Sequence, residues 1–139
     1  MSKTDITHAK VLEIKKGNAI TLPGEFVDSI GLPYGLAILV LKDKNVKLYP
    51  VGSSRILYLK LNIEKLSKSF LEELTSVFEK SGLEDILFTS GICQSADQCY
   101  YECYFTPEQL NVEDEKLRKS LDGISGVQSV ILEEVPIAK

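Results

Sequence analysis

The side chains in this sequence that come closest to a compact reactive set are its three cysteines, Cys93, Cys99 and Cys103. They fall in strand-like sequence, so Cys99 and Cys103 are expected to point to the same face of a sheet. Three sulfurs are one ligand short of a tetrahedral zinc site, and the single histidine, His8, is distant in sequence. Three interpretations stay open: buried small hydrophobes, which we favour, a Cys93–Cys99 disulfide, and a metal site.

No residue pattern predicts catalysis. His8 lies in a polar tail, where no serine or cysteine nucleophile can be paired with it. The sequence contains no glycine-rich phosphate loop. Glu113 and Asp114 stand at the start of a predicted helix, where acids are favoured by the helix dipole. We therefore expect no enzyme activity, no catalytic or metal-binding residue and no cofactor.

Charge is distributed unevenly along the chain. Residues 1–52 carry seven lysines and five acids, a net charge of +2, whereas residues 53–139 carry nine basic and fifteen acidic residues, a net charge of −6. This asymmetry predicts two units with different partners. The overall composition, with 44% hydrophobic and 26% charged residues, predicts a globular protein. Without a long apolar run or an apolar signal core, a cytoplasmic location is expected.

The elements that must position the N-terminal lysines are short. Alternating sequence predicts a strand over Ala9–Lys15, and Gly17-Asn18 predicts a turn. A second short strand is predicted over Ala19–Leu22. Pro23 then begins a helix whose apolar face is Phe26, Val27 and Ile30, and Gly31 ends it.

A hairpin follows this helix. The continuous apolar run Leu36–Leu41 predicts a strand that is buried on both faces. Asp43, Lys44 and Asn45 predict a turn, after which Val46–Val51 returns as the partner strand. Gly52-Ser53-Ser54 is expected to be the linker to the second unit.

The remaining sequence alternates strands and helices in the order β-α-β-β-α-β. The helical periodicity ends at Gly82 in the first helix and at Gly123 in the second. This order is that of a ferredoxin-like fold, with two helices on one face of a four-stranded sheet. The predicted strands are Ile56–Ile63, Leu83–Cys93, Gln98–Phe105 and Val127–Val135, and the predicted helices run from about Asn62 to Ser81 and from about Asn111 to Gly123.

Residues 9–51 resemble the AbrB/MazE/SpoVT family of swapped-hairpin DNA-binding domains. The resemblance lies in Ile20-Thr21-Leu22-Pro23, in Ile30-Gly31-Leu32 and in Gly35, at the family's spacing. It implies a swapped-hairpin β-barrel, built by a homodimer of residues 1–52, that binds double-stranded DNA. So short a unit buries too little surface to be stable alone, which also favours a dimer.

The sequence departs from the family pattern at its contact positions. Ala19 and Val27 stand where the family has polar or arginine contacts, and Leu36 replaces an acid. Asn18 or the backbone would then have to read bases, while lysines contact phosphates. The DNA-binding residues implied by the resemblance are Lys10, Lys15, Lys16, Asn18, Lys42, Lys44 and Lys47.

Residues 56–139 resemble ferredoxin-like regulatory domains of the ACT or RAM type. The helix–strand junction over residues 117–135, LRKSLDGISGVQSVILEEV, carries this resemblance. It implies oligomerisation and a small-molecule effector, with Gly91 as the effector contact of the RAM type. The loop Leu61–Leu66 lacks the glycine with which ACT domains approach an amino acid.

The two resemblances together predict an α+β protein of two domains that regulates transcription. In this interpretation the dimeric N-terminal unit binds DNA, and the C-terminal unit senses an effector or controls assembly. The alternative is a protein-interaction dimer, antitoxin-like or scaffold-like, that has lost DNA binding.

Overall fold

The computed structural model describes residue 7, residues 9–13 and residues 19–138. Within this part the chain is α+β, with a two-stranded and a four-stranded antiparallel sheet and three α-helices. No helix among these residues is long and apolar enough to cross a membrane. The elements in chain order are α1 (Gly24–Ile30), β1 (Tyr34–Val40), β2 (Asn45–Val51), β3 (Leu57–Ile63), α2 (Lys68–Lys80), β4 (Phe88–Ser95), β5 (Gln98–Phe105), a 3-10 turn (Pro107–Gln109), α3 (Asp114–Asp122) and β6 (Val127–Glu134).

The four-stranded sheet confirms the ferredoxin-like prediction for the C-terminal unit. Its strand order is β4-β5-β3-β6, and all neighbours are antiparallel. Alternate residues of β3 and β5 are fully buried against α2 and α3, as the period of two along a strand requires. The residues at the centre of this core are Leu59, Leu61, Ile63, Cys103, Phe105, Leu117 and Leu121.

Helix α2 begins later than the sequence predicts. Ser67 is its N-cap, and the serine hydroxyl accepts a hydrogen bond from the Phe70 N–H at 3.1 Å. Residues 62–64, where the helix was predicted to begin, belong to the sheet: β3 continues to Ile63, and the Glu64 N–H donates to the Gly126 carbonyl at 2.9 Å. The helix start is therefore set by the cap at Ser67.

Strand β4 also begins later than predicted, at Phe88 instead of Leu83. Before it, the Gln109 side chain accepts hydrogen bonds from the N–H groups of Glu84 and Asp85, both at 2.9 Å. A side chain thus satisfies backbone groups that a neighbouring strand would otherwise pair.

Strands β1 and β2 form the predicted hairpin, but the prediction that Leu36–Leu41 is buried on both faces is wrong. Only Leu36 and Ile38 are buried, while Leu39 is 63% exposed and Leu41 is 84% exposed. A two-stranded sheet has two faces, and the C-terminal unit covers one of them. The buried cluster on that side consists of Leu36, Ile38, Val51 and Ile56, and its partly buried neighbours in the C-terminal unit are Leu87, Phe88, Tyr104 and Val135.

Helix α1 is confirmed, including its end at Gly31, which has a φ of +71°. The predicted strands before it are not present in the described residues. Residues 9–13 and Ala19–Leu22 have no strand structure, because a strand exists only where a neighbouring strand pairs with it. Residues 14–18, including the predicted turn at Gly17-Asn18, lie outside the described residues. No closed barrel forms within the described part of residues 1–52, so the swapped-hairpin barrel stays a prediction.

Candidate nucleic-acid interface and exposed hairpin face

One face of the hairpin is entirely apolar and exposed. The cross-strand pairs Gly35–Pro50, Ala37–Leu48 and Leu39–Val46 alternate with the pairs that pack on the C-terminal unit. Their side chains therefore project from the opposite face of the sheet. We call these six residues the hairpin face. Val46 is 57% exposed and Leu48 is 45% exposed.

Gly35 gives this face its shape. A Cβ at residue 35 would lie 2.8 Å from the Leu48 Cδ1, so the absence of a side chain lets Leu48 lean across the neighbouring strand. Any larger residue at this position would have to displace Leu48. The glycine that carries part of the family resemblance therefore has a packing reason in this chain.

Further apolar residues close to the hairpin in sequence are also exposed. Helix α1 buries none of its side chains, and Phe26 and Val27 are 46% and 48% exposed. Ile20 and Leu32 are 55% and 49% exposed. These residues add to the exposed apolar surface of the N-terminal unit, and large exposed apolar patches mark sites of interaction with another chain or ligand.

Lys42 and Lys44 lie in the turn at the tip of the hairpin, and both are exposed. Lys44 has a φ of +54°, the left-handed conformation that several types of tight turn contain. Among the described residues, no salt bridge involves either lysine. The turn therefore presents two cations to solvent next to the apolar hairpin face.

The other proposed DNA contacts are placed differently. Lys47 lies opposite Ile38, on the face that packs on the C-terminal unit, and its Nζ is 5.2 Å from the centre of the Phe88 ring. Lys10 is exposed and lines a cavity of about 300 Å³ together with Glu25 and Phe26 of α1. The structure therefore brings Lys42 and Lys44 together in one turn and places Lys47 on the other side of the hairpin. Lys15, Lys16 and Asn18 lie outside the described residues.

Gly91 lies in the middle of β4. A Cβ at this position would be 2.9 Å from the Leu66 Cδ2, so the glycine makes room for Leu66 to pack on the strand. A cavity of about 280 Å³ between the hairpin and residues 135–138 is not lined by Gly91, and neither is the cavity at Lys10. This geometry gives Gly91 a packing role, and its proposed effector contact stays a prediction.

The cysteines show two different states. Cys93 and Cys99 are directly opposite on β4 and β5 and form a disulfide with a sulfur–sulfur distance of 2.07 Å. Cys103 is a free thiol and fully buried, and burial raises its pKa to about 12. The favoured interpretation of all three as buried hydrophobes is right for Cys103 and wrong for Cys93, which is exposed. The sequence left the pairing open because the register of β4 on β5 was unknown.

Among the described residues, no group of three or more His, Cys, Asp or Glu side chains is arranged to hold a metal ion. The disulfide removes Cys93 and Cys99 as thiolate ligands, and Cys103 faces the core. The cysteines that could have suggested metal chemistry are therefore used for cross-linking and packing.

The sheet face away from α2 and α3 carries polar contacts that the sequence did not reveal. The Tyr58 hydroxyl donates to the Glu102 carboxylate at 2.7 Å, and burial together with this hydrogen bond raises the pKa of Tyr58. The rings of Tyr58 and Tyr104 are 4.9 Å apart, and the Lys60 Nζ is 4.9 Å from the centre of the Tyr100 ring. Only the register of β3 on β5 identifies these pairs.

No family model matches this sequence, and no curated protein does. Among solved structures, the chain is similar to a domain described as the chemotaxis kinase CheA P2 domain in complex with the response regulator CheY from Thermotoga maritima. The similarity has a TM-score of 0.42 and 18% sequence identity, and it covers 58% of this chain and 98% of that chain. A likeness of this size says nothing about what the present chain binds.

Proposed function

We propose that this chain is a transcriptional regulator that binds double-stranded DNA as a homodimer. The hairpin face forms the dimer interface, and lysines at the hairpin turn contact phosphates. The C-terminal unit controls assembly or senses a small molecule. The single observation that supports this best is the combination, on one hairpin, of a wholly apolar exposed face with two exposed lysines at its tip.

Dimerisation follows from the cost of leaving the hairpin face in water. Each apolar side chain transferred from water to an interface contributes roughly 1.5–3 kcal/mol when it is fully buried. Leu39, Val46 and Leu48 are about half exposed or more in the single chain, and so are Phe26 and Val27 of α1. A second copy of the same unit would bury both sets without any change in the C-terminal core.

Phosphate contact is supported by the position of the lysines rather than by the net charge of the chain. The whole protein carries a charge of −4, which opposes binding to DNA, but the N-terminal 52 residues carry +2. Lys42 and Lys44 are exposed in the turn, beyond Val40, the last residue of β1 that packs in the cluster shared with the acidic unit. A dimer doubles these cations on one assembly, and each phosphate they neutralise releases counterions.

The proposed control by the C-terminal unit has a physical connection in the hairpin. The inner residues Leu36 and Ile38 pack with Ile56, immediately before β3, and against Phe88 of β4. A change in the position of this cluster would move the hairpin, and with it the lysines at the tip. The mechanism is non-catalytic, since it needs only a change in the spacing of two basic turns across the dimer.

The test is a titration of labelled duplex DNA with the full-length protein, followed by fluorescence anisotropy at several salt concentrations. We expect binding that weakens steeply as salt is raised. Lys42→Ala/Lys44→Ala should weaken binding and lower the salt slope by about one for each phosphate that is no longer neutralised. Lys80→Ala/Lys116→Ala is the matched control, because both lysines are exposed on the C-terminal helices. Equal effects of the two double variants, or no binding at low salt, would contradict the proposal.

A protein-interaction dimer is the second candidate, and two observations favour it. The ammonium group of Lys47 lies over the Phe88 ring of the C-terminal unit, and Ala19 and Val27 carry no polar side chain that can contact DNA. The same titration separates the two candidates. A chain that is dimeric in solution but does not bind duplex DNA at low salt fits the interaction protein and not the regulator.

A further inference from the structure

The four-stranded sheet has two edges, formed by β4 and β6. They differ in whether their outward backbone groups have hydrogen-bond partners. An edge strand presents unpaired backbone N–H and C=O groups, and proteins usually block such edges with charges, prolines or covering side chains. The two edges of this sheet therefore offer a direct comparison within one chain.

The β6 edge is blocked by an arginine. The Val135 N–H donates to the Ile56 carbonyl at 2.9 Å, so by antiparallel alternation the backbone groups of Val130 and Leu132 point away from β3. The Arg118 guanidinium of α3 donates to both of these carbonyls, from Nη1 at 2.9 Å and from Nη2 at 3.1 Å. An additional strand cannot pair at β6 without displacing Arg118.

The β4 edge has no such protection in the described chain. The Leu87 N–H donates to the Tyr104 carbonyl, so the groups of Tyr104, and by alternation those of Glu102 and Tyr100, face β4. Thr89, Gly91 and Cys93 then direct their N–H and C=O groups outward. The short Cα–Cα distance of 3.9 Å between Cys93 and Cys99 agrees, because pairs without mutual backbone bonds lie closer.

Between Thr89 and Cys93, β4 lacks the features that usually block an edge strand, and its register on β5 shifts only beyond Cys93. Its sequence, FTSGICQS, contains no charged residue and no proline, and Thr89, Gly91, Ile92 and Cys93 are exposed. Among the described residues, no side chain forms a hydrogen bond with the backbone of this strand. The edge is therefore open over the length of a typical short strand.

We propose that β4 pairs with β4 of a second copy of this chain, in antiparallel orientation about a two-fold axis at Gly91. This arrangement places Thr89 opposite Cys93 of the second copy and lets the outward backbone groups of both strands pair. It joins two four-stranded sheets into one continuous sheet. The occupant is a second copy because a strand without charges suffers no like-charge repulsion when it pairs with itself. The β6 edge, with Glu133 and Glu134, would carry such repulsion.

This interface is separate from the hairpin face, and the inference does not rest on the proposed function. An isologous contact at β4 in addition to one at the hairpin face would give the chain two different two-fold axes. Two such axes build an assembly larger than a dimer. A variant that blocks only one of the two interfaces therefore leaves the other available for testing.

Amide hydrogen exchange on the full-length protein tests the pairing residue by residue. In a free edge the outward amides of Thr89, Gly91 and Cys93 exchange fast, while those of Ser90 and Ile92 are protected by β5. We expect all five amides to be protected at high chain concentration, and the protection of the three outward ones to fall at least tenfold on dilution. Fast exchange of the outward amides at every concentration, or protection that does not depend on concentration, would overturn the proposal.

Paired lysine substitutions provide the second measurement. Ile92 and Ile131 lie on the same sheet face, on opposite edge strands, and are 43% and 38% exposed. Ile92→Lys should abolish the concentration-dependent protection and halve the mass of the assembly in sedimentation velocity, whereas Ile131→Lys should change neither. Both should keep the wild-type circular dichroism spectrum. Equal behaviour of Ile92→Lys and Ile131→Lys would refute the pairing. If the Gly91 amide stays protected in Leu39→Glu, the β4 pairing is independent of the hairpin face.

Discussion

Leu39 and Val46 lie directly opposite each other on β1 and β2, and both project from the hairpin face with more than half of their surface exposed. Cross-strand pairs of apolar residues normally contribute to a sheet by packing on a third layer. Within the described part of the chain no third layer covers that side, while the neighbouring pair, Ile38 and Lys47, packs on the C-terminal unit.

Leu39→Glu should therefore break the proposed N-terminal dimer. A carboxylate at this position would be buried against the second copy, so we expect the dissociation constant of that interface to rise at least about tenfold. Sedimentation velocity over a range of concentrations measures the change. Leu71→Glu is the control, because Leu71 is 41% exposed on α2, far from the hairpin in the sequence. An assembly of unchanged mass in Leu39→Glu would exclude the hairpin face as the interface.

Reduction of the Cys93–Cys99 disulfide should destabilise the C-terminal unit. The bond closes a loop with a sequence separation of 6 residues. For so short a loop, restriction of the unfolded chain stabilises the fold by about 2 kcal/mol. Urea unfolding with and without reductant measures this difference in the wild type. Cys93→Ser should unfold like the reduced protein and should not respond to reductant, and a response in that variant would contradict the assignment of the bond.

The Tyr58–Glu102 hydrogen bond should make stability depend on alkaline pH. The pKa of Tyr58 is raised above its usual 10.0 by burial and by this bond. Between about pH 10 and the raised pKa, the unfolded state loses the phenolic proton and the folded state keeps it, so stability falls as pH rises. We expect the free-energy difference between wild type and Tyr58→Phe to be present near neutral pH and to shrink above about pH 10.

That difference is measured by urea unfolding at a series of pH values. Tyr104, whose pKa is also raised by burial, contributes to the remaining alkaline slope in both proteins. A difference between wild type and Tyr58→Phe that stays constant across this range would show that Tyr58 titrates equally in the folded and unfolded states.

Gly82→Ala should be more destabilising than Gly126→Ala. Both glycines have positive φ, at +80° and +91°, so an alanine at either position costs about 1–2 kcal/mol in backbone strain. At Gly82 the new Cβ would also lie 2.8 Å from the Gln109 carbonyl oxygen, while at Gly126 no atom lies within 4 Å. We expect a further destabilisation of about 1–3 kcal/mol at Gly82. The difference between the two variants in the free energy of unfolding by urea measures the effect of the contact with Gln109. Equal destabilisation of the two variants would contradict this prediction.

The ferredoxin-like unit was predictable because its signals are local and agree with one another. The apolar spacing of α2, the alternation along β3 and β5 and the glycine at residue 82 each indicate one structure. The errors fell at element boundaries, where a single side chain decided the outcome. Helix α2 begins later than predicted because the Ser67 side chain caps it. Strand β4 begins later than predicted because the Gln109 side chain, and not a neighbouring strand, accepts hydrogen bonds from the N–H groups of Glu84 and Asp85.

The candidate sites were less predictable because they depend on the register between strands and on which face of each sheet is covered by other residues. Lys47 resembles Lys42 and Lys44 in sequence, but the pairing of β1 with β2 turns it toward Phe88. The run Leu36–Leu41 gives no sign of which face is covered. Neither the Cys93–Cys99 bond nor the protection of one sheet edge by Arg118 can be recognised before the strands are aligned.

The sequence by itself determined the order of the elements, the α+β class and the uneven charge of the two units, because composition and periodicity act over neighbouring residues. Only the tertiary structure decided which lysines share a surface, which cysteines bond and which strand edge stays open. These properties depend on contacts between residues far apart in the chain, and a one-residue change in strand register would reverse the face on which each of them lies.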